Sequence, residues 1–326
     1  MAKISIYINT RASQNDPSKW HYEFTKHLFR HDLTFKIPKT IKELKTELQK
    51  DINQSVDYIF SIGGDGTANL ISQEIVHSDI KLMVIPCGTA NDFATELGIE
   101  KNISKIITIF KHRTSKKVDL IKINNKYMFS NGGIGLAADV AEKVNSYRQS
   151  VPFFKMMMKY AKGNAYIACL VKEFAFHSIK LYKVRVSSPH LPNTIQKSFF
   201  TPMILINNQS MLGNKFEIAP ETRNDDGFFN VSIFLHTRKK ELIKAIALIL
   251  KGQIPHSDPN FISFETDSFS ISSLNGESLS FFGDGEILKI AKNLKITLSP
   301  LAIEVCTKGS QDERGSSHSL DEINLA

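Results

Sequence analysis

Cysteine is scarce in this chain, with only Cys87, Cys169 and Cys306 among 326 residues. They are odd in number, far apart and lack metal-ligand spacing. That excludes a disulfide framework or a cysteine metal site and points to a reducing compartment. Long hydrophobic runs are also missing. The longest, near Ala245 to Leu250, is too short to cross a bilayer, so any membrane contact is expected to be peripheral. The start of the chain, MAKISIYINTRASQ, has no apolar core of the kind a secretory signal needs and reads as a first strand, giving a cytoplasmic expectation. The ten histidines show no HExxH-like spacing and are read as surface or core residues. No aromatic-basic motif supports nucleic-acid binding, so no nucleic-acid partner is expected.

What is present is the composition of a globular protein: 42% apolar and 23% charged residues, at a length that suits two domains. The net charge is +8. From Lys308 onward there are two basic and four acidic residues, so the body before that point carries +10. A basic body attracts nucleotides, nucleic acid or an anionic membrane face. A solvated basic surface without a specific partner has the same sign.

Periodicity divides the chain. Residues 3–9 alternate as a strand, and Trp20 to Phe29 has helical spacing. Thr34 to Ile37 reads as a strand. Thr40 to Leu48 reads as a helix with Thr40 as cap and Glu43 three residues on. Strands are predicted at Val56 to Ile62 and Lys81 to Ile85, and helices at Gly66 to His77, Asn91 to Leu97 and Ile103 to Phe110. This alternation predicts a parallel, helix-covered α/β domain over residues 1–115, with ligands at the carboxyl ends of its strands. After Lys116 short strand-like runs follow one another, predicting an antiparallel β-sandwich domain over 116–306, its last strand free to return to the first domain. Helical inserts are predicted over 136–174 and 239–251. The polar, Ser-rich stretch 307–326 reads as a disordered tail.

Two glycine turns stand out. In IFSIGGDGTANL, residues 59–70, an apolar strand runs through Gly63, Gly64, Asp65, Gly66 and Thr67 into a helix. Glycines there let backbone N–H groups approach an anion, and the helix N-terminus favours phosphate. Thr67 and Asn69 are candidates to cap or to donate to phosphate oxygens, and Asp65 to hold Mg²⁺ or act on an accepting hydroxyl. LMVIPCGTANDFA, residues 82–94, repeats the pattern: Gly88 to Asn91 has the same four residues as Gly66 to Asn69, and Asn91 and Asp92 sit at a helix start. Taken singly, each turn also suits ordinary strand-to-helix punctuation.

GGDGT followed by PxGTxNDFA resembles the diacylglycerol kinase catalytic domain superfamily, which includes sphingosine kinases and bacterial lipid kinases. The resemblance covers about residues 3 to 306. It implies an NAD kinase-like α/β domain joined to a β-sandwich, with the active site between them. It implies ATP contacts at Asn9, the Gly63–Thr67 turn and Thr89. NDDGFFNVSIF, residues 224–234, is similar to a segment that holds a structural Mg²⁺ in bacterial members. Asp226 matches the ligand carboxylate, and Arg223 and Phe228 match backbone-carbonyl positions. Phe229-Asn230 departs from the Leu-Asp the family often has. SFFGDGEILKI, residues 280–290, resembles the DGE motif, whose Glu, here Glu286, is the proton acceptor in bacterial members. Asp284, two residues away, is expected to share a strand face with it. Asn275-Gly276-Glu277 imitates the motif and fits a type I′ hairpin turn. Asp119 matches an Asp the family carries at this strand and is read either as a tie between the Mg²⁺ network and the hinge or as a solvated strand-edge Asp, and Asn131 matches a family position near the cleft. The cluster Phe153 to Tyr160 reads as helix packing, or else as a lining for acyl chains.

The resemblance therefore implies an ATP- and Mg²⁺-dependent kinase of a membrane-lipid hydroxyl, diacylglycerol first among the acceptors, at an anionic membrane surface. Glu286, Asp284 and Asp65 are the candidate catalytic carboxylates. A homodimer is compatible with this reading. An NAD kinase-like enzyme and a catalytically silent nucleotide- or lipid-binding protein are the alternatives.

Overall fold

A computed structural model describes residues 1–11, 16–88, 91–150, 179–193, 195–212, 216–249, 251–255 and 257–308. The cluster at 153–160, Cys169, Thr89 and the tail from 309 lie outside them.

The first half alternates β1 (Lys3–Ile8), α1 (Pro17–Leu28), β2 (Asp32–Lys36), α2 (Ile41–Asn53), β3 (Tyr58–Gly63), α3 (Asp65–Ile75), β4 (Lys81–Pro86), α4 (Asp92–Glu96) and α5 (Ile103–His112). β1, β3 and β4 are almost wholly buried, as expected for strands covered on both faces. The four strands run parallel in the order β2-β1-β3-β4. Local chemistry fixes the helix starts. Asp16 caps α1, with Pro17 in its first turn. Thr40 Oγ1 accepts the Glu43 N–H at 3.1 Å, and Glu43 returns a bond from the Lys39 N–H at 2.7 Å. Trp20, Phe24 and Leu28 anchor α1 on the sheet. Each such side chain contributes about 1.5–3 kcal/mol by burial.

The second half contains β5 (Ser115–Ile123), β6 (Lys126–Met128), β7 (Asn131–Gly135), α6 (Leu136–Ser150), β8 (Tyr182–Ser187), β9 (Ser198–Thr201), β10 (Met203–Asn207), β11 (Met211–Leu212), β12 (Phe216–Glu217), β13 (Phe229–Phe234), α7 (Lys239–Ile249), β14 (Phe261–Thr266), β15 (Ser268–Ser273), β16 (Leu279–Gly283), β17 (Glu286–Ala291) and β18 (Asn293–Cys306). An antiparallel sheet has the order β14-β13-β10-β7-β16-β17. Its inner face, with Ile134, Ile204, Val231 and Phe281, packs on Val184, Phe269, Ile271 and Ile296 of a second antiparallel layer. Its outer face packs Met203, Phe234 and Phe261 on Leu242, Ala245 and Ile249 of α7. The chain is thus an α/β unit with a mostly parallel sheet followed by an antiparallel sandwich.

β18 serves both halves. Its first residues pair antiparallel with β15, its length pairs with β5, and Glu304 and Val305 pair parallel with β4. One ten-stranded sheet therefore runs from the first half into the sandwich. The strand changes course at a bulge between Ser299 and Ile303, where Leu301 takes φ +46. The hairpin expected at Asn275-Gly276 is not formed. β15 and β16 belong to different sheets, and only Gly276 of the pair has positive φ, so the segment is a connector. Among the described residues no helix is long and apolar enough to cross a membrane.

Candidate active site

The two glycine turns follow adjacent strands, and they touch. The Cys87 N–H donates to the Gly63 carbonyl at 2.6 Å. A Cβ on Gly88 would stand 2.5 Å from Gly64 Cα and 2.9 Å from Asn91 Oδ1, so neither turn has room for a side chain there. Asn91 adopts φ +58 and folds back: its Oδ1 accepts the Gly88 N–H at 2.7 Å and its Nδ2 donates to the Gly88 carbonyl at 3.0 Å. It shapes its own turn. Asp92 opens α4 directly after it. At the end of β1, Asn9 Nδ2 donates to Thr67 Oγ1 at 2.8 Å, so three strand ends converge on the start of α3. A helix N-terminus presents its N–H groups and the positive end of its dipole, which favours an anion.

Asp65 serves the second turn. Its carboxylate accepts the Asn91 N–H at 2.8 Å and the Phe93 N–H at 3.3 Å. Burial pushes this carboxyl up, against the pull of those N–H donors. The sequence echo between Gly66–Asn69 and Gly88–Asn91 does not extend to placement either. Asn69 lies inside α3, where its Nδ2 donates to Asp284 at 2.6 Å and to the Tyr127 carbonyl at 3.1 Å while its Oδ1 accepts from Gln73.

Asp284 is 8% exposed. Its Oδ1 accepts the Ser130 N–H at 2.9 Å and the Ser130 hydroxyl at 2.6 Å. Its Oδ2 accepts the Phe129 N–H at 2.9 Å and Asn69. Burial pushes the carboxyl up, and these donors oppose it. The expectation that Asp284 and Glu286 share a strand face is corrected here. Asp284 and Gly285 have φ +51 and +85, the two central positions of a type I′ turn between β16 and β17. The turn sends Asp284 inward and leaves Glu286 exposed at the start of β17. Glu286 Oε1 lies 3.2 Å from where a Cβ on Gly66 would be, over the first turn of α3. Asp284 is therefore a brace that ties α3, the β6–β7 connection and the hairpin together, and Glu286 is the carboxylate presented at the glycine turns.

The Asp226 loop is a separate construction. Asp226 is exposed, and its Oδ1 accepts the Phe228 N–H at 3.0 Å. Arg223 pairs with Asp225 at 3.0 Å. Among the described residues no three His, Cys, Asp or Glu side chains group to hold a metal. A cation here would need backbone carbonyls beside Asp226, such as those of Arg223 and Phe228, a hard-oxygen set of the kind Mg²⁺ takes. The field suits one: the Glu265 carboxyl is pushed up by burial and by the charges of Asp226 and Glu221. Asp119, 1% exposed, links this loop to β18 by accepting the Gly227 N–H at 2.9 Å and the Leu301 N–H at 2.7 Å. Asn131 is buried on β7, with Nδ2 donating to the Met211 carbonyl at 2.7 Å. Sequence reasoning missed Ser130, Gln73 and the Phe129 N–H. The one available signal was Gln73, a helical turn after Asn69.

A parallel α/β half that offers an anion-binding helix start, faced by a carboxylate from an antiparallel sandwich, defines a phosphotransferase of the kinase class. The diacylglycerol kinase catalytic domain model matches residues 3–123, and the YegS C-terminal NAD kinase beta sandwich-like domain model matches residues 133–307. The chain belongs to this diacylglycerol and lipid kinase family. It is 27% identical to a diacylglycerol kinase of Staphylococcus aureus over 249 residues, 75% of this chain and 73% of that one. It is 25% identical to a Klebsiella pneumoniae protein named "Probable lipid kinase YegS-like" over 266 residues, 78% of this chain and 80% of that one. A solved Bacillus anthracis diacylglycerol kinase superposes with a TM-score of 0.67 at 19% identity, covering 94% of this chain and 97% of that one, which shows the shared fold.

Proposed function

We propose that this enzyme transfers the γ-phosphoryl group of ATP to a hydroxyl of a membrane lipid, with diacylglycerol the first acceptor to test. One observation carries the reading: Glu286 stands over the helix start that the two touching glycine turns build. On this reading residues 1–115 hold the nucleotide and 116–306 bring the acceptor side.

The Gly63–Thr67 turn, Gly88 and the first N–H groups of α3 cradle the phosphates. Asn9 orients the Thr67 hydroxyl. Glu286 takes the proton as the acceptor oxygen bonds to the γ-phosphorus and the bond to the bridging oxygen of ADP breaks. Asp284 and Asp65 position the hairpin and the second turn and do not touch the reacting atoms. Asp226, with the carbonyls of Arg223 and Phe228, would hold a structural Mg²⁺ whose contribution is charge compensation in the loop, with Asp119 linking that loop to β18. Catalysis is then positioning plus electrostatics.

The deciding experiment incubates the protein with radiolabelled ATP and Mg²⁺ against diacylglycerol, monoacylglycerol, phosphatidylglycerol and sphingosine in mixed micelles, and against NAD. Label moving into lipid supports the reading. Label moving into NAD alone replaces it with the NAD kinase alternative. Nucleotide binding without transfer leaves a silent binding protein.

A further inference from the structure

Gly66, Asn69 and Gln73 are spaced three and then four residues apart on α3, so they form one stripe along the helix. The stripe faces the second half of the chain. Glu286 stands over Gly66 near the helix start, and one turn on Asn69 reaches Asp284. Gln73 lies a further turn along. It belongs to neither glycine turn, and the chemistry proposed above leaves it without a role.

What Gln73 holds is backbone. Its Nε2 donates to the Tyr127 carbonyl at 2.6 Å, and its Oε1 accepts the Tyr127 N–H at 2.9 Å. Tyr127 is the middle residue of β6, which among the described residues pairs with β5 alone. The other edge of so short a strand would present an unpaired N–H and C=O. Gln73 fills that place as a neighbouring strand would, and an amide suits it because one end donates and the other accepts. The same Nε2 donates to Asn69 Oδ1 at 3.1 Å. That keeps Asn69 Nδ2 turned towards Asp284 and the Tyr127 carbonyl. Two and three residues after Tyr127, Phe129 and Ser130 donate to Asp284 from the other side. Gln73 therefore grips the segment that holds Asp284 and orients the amide that reaches it from α3.

We propose that Gln73 is a positioning residue for phosphoryl transfer: it sets the spacing between α3 and the β16–β17 hairpin, and so the place of Glu286 over the helix start. Gln73 touches neither nucleotide nor acceptor and acts through Asn69, Asp284 and the β6–β7 connection. The kinetic consequence rests on the lipid kinase reading; the spacing itself does not.

The test uses Gln73→Met, which keeps the length of the side chain and loses the amide, with ATP and the lipid of the acceptor panel that the wild type phosphorylates best. We expect kcat to fall by about 10–10²-fold, the effect of a displacement near 1 Å at the reacting atoms, with KM for ATP within about twofold of wild type. In a Glu286→Gln background the same substitution should cost less than about twofold, since no proton acceptor remains to be placed. Gln73→Glu keeps the acceptor for the Tyr127 N–H but sets a carboxylate against the Tyr127 carbonyl and Asn69 Oδ1, and should show the same dependence on Glu286. A purely structural role would lower kcat by the same factor in both backgrounds, which overturns the proposal, as does wild-type kcat in either variant. Hydrogen exchange without substrates separates this inference from the kinase reading. In Gln73→Met the amides of residues 127–130 and 282–286 should lose protection while those of β3 and β4 keep it. If that pattern is seen and the wild type phosphorylates no lipid, the spacing role stands and the kinase reading falls. If lipid is phosphorylated and the pattern is absent, this inference alone falls. If neither transfer nor the pattern is seen, both fall.

Discussion

Three carboxylates that the sequence puts on equal terms differ in what their oxygens already hold. Asp65 and Asp284 are saturated by N–H and O–H donors, while Glu286 is exposed at the glycine turns. Glu286→Gln is therefore expected to lower kcat by about 10²–10⁴-fold, the usual worth of a positioned base, with Tm unchanged. Asp284→Asn should act through the fold. Its new NH₂ group would face N–H and O–H donors, costing about 1–3 kcal/mol and lowering Tm along with activity. Kinetics and thermal denaturation of the two variants side by side test this division. If Asp284→Asn lost activity with Tm intact, the bracing role would be wrong. The GTAN echo is a further lesson at this scale. Identical side chains do different work because Asn69 sits in mid-helix facing a buried carboxylate, whereas Asn91 sits in a left-handed turn facing its own backbone.

Among elements, the contact of the two turns is the most sensitive feature. Gly88→Ala would drive a methyl group into Gly64 Cα and separate the turns. Overpacking of this kind costs about 1–3 kcal/mol, and a displacement near 1 Å at the phosphate cradle is expected to reduce kcat/KM for ATP by about 10²-fold. Steady-state kinetics at varied ATP checks it. The junction of β18 with β4 offers a pH test. Lys81 Nζ lies 2.8 Å from Glu304 Oε1, and Ser115 donates to the same oxygen. Burial works to raise the Glu304 carboxyl, but Lys81 and Ser115 outweigh it and hold it below its usual range. A lowered folded pKa gives stability that is present above the unfolded pKa, about 4.3, and is lost as pH falls through the folded value. The Tm advantage of the wild type over Glu304→Gln should thus be full near pH 7 and shrink below about pH 4. An advantage that grew towards acid pH would contradict the pairing.

For the whole molecule, the net charge of +8 is made up of +10 before Lys308 and −2 from there on. If it concentrates the enzyme at anionic lipid, sedimentation with phosphatidylglycerol-containing vesicles should be strong at low salt and weaken as ionic strength shortens the screening length to about 8–10 Å. Binding indifferent to salt and to anionic lipid would remove electrostatics from the account. The architecture adds a constraint on where the acceptor approaches. One strand, β18, runs through both halves within the ten-stranded sheet, whereas the Glu286 hairpin belongs to the six-stranded sheet and is held at the glycine turns through side chains, the buried Asp284 with Asn69 of α3.

Much of this was legible in the chain itself. The α/β alternation, the short strands after Lys116, the Thr40 cap and both glycine turns depend on local periodicity and on residues with special backbone freedom, which neighbouring sequence is enough to specify. The direction each carboxylate faces was not legible. It depends on the type I′ turn that sends Asp284 inward, on α4 placed to receive Asp65, and on β18 reaching back to β4. Those are long-range pairings between residues scores of positions apart. The sequence alone determined the two-part kinase frame and its two glycine turns at helix starts, because both follow from local periodicity; only the folded sheets decided which of its acids is exposed at those turns and which are buried among N–H and O–H donors.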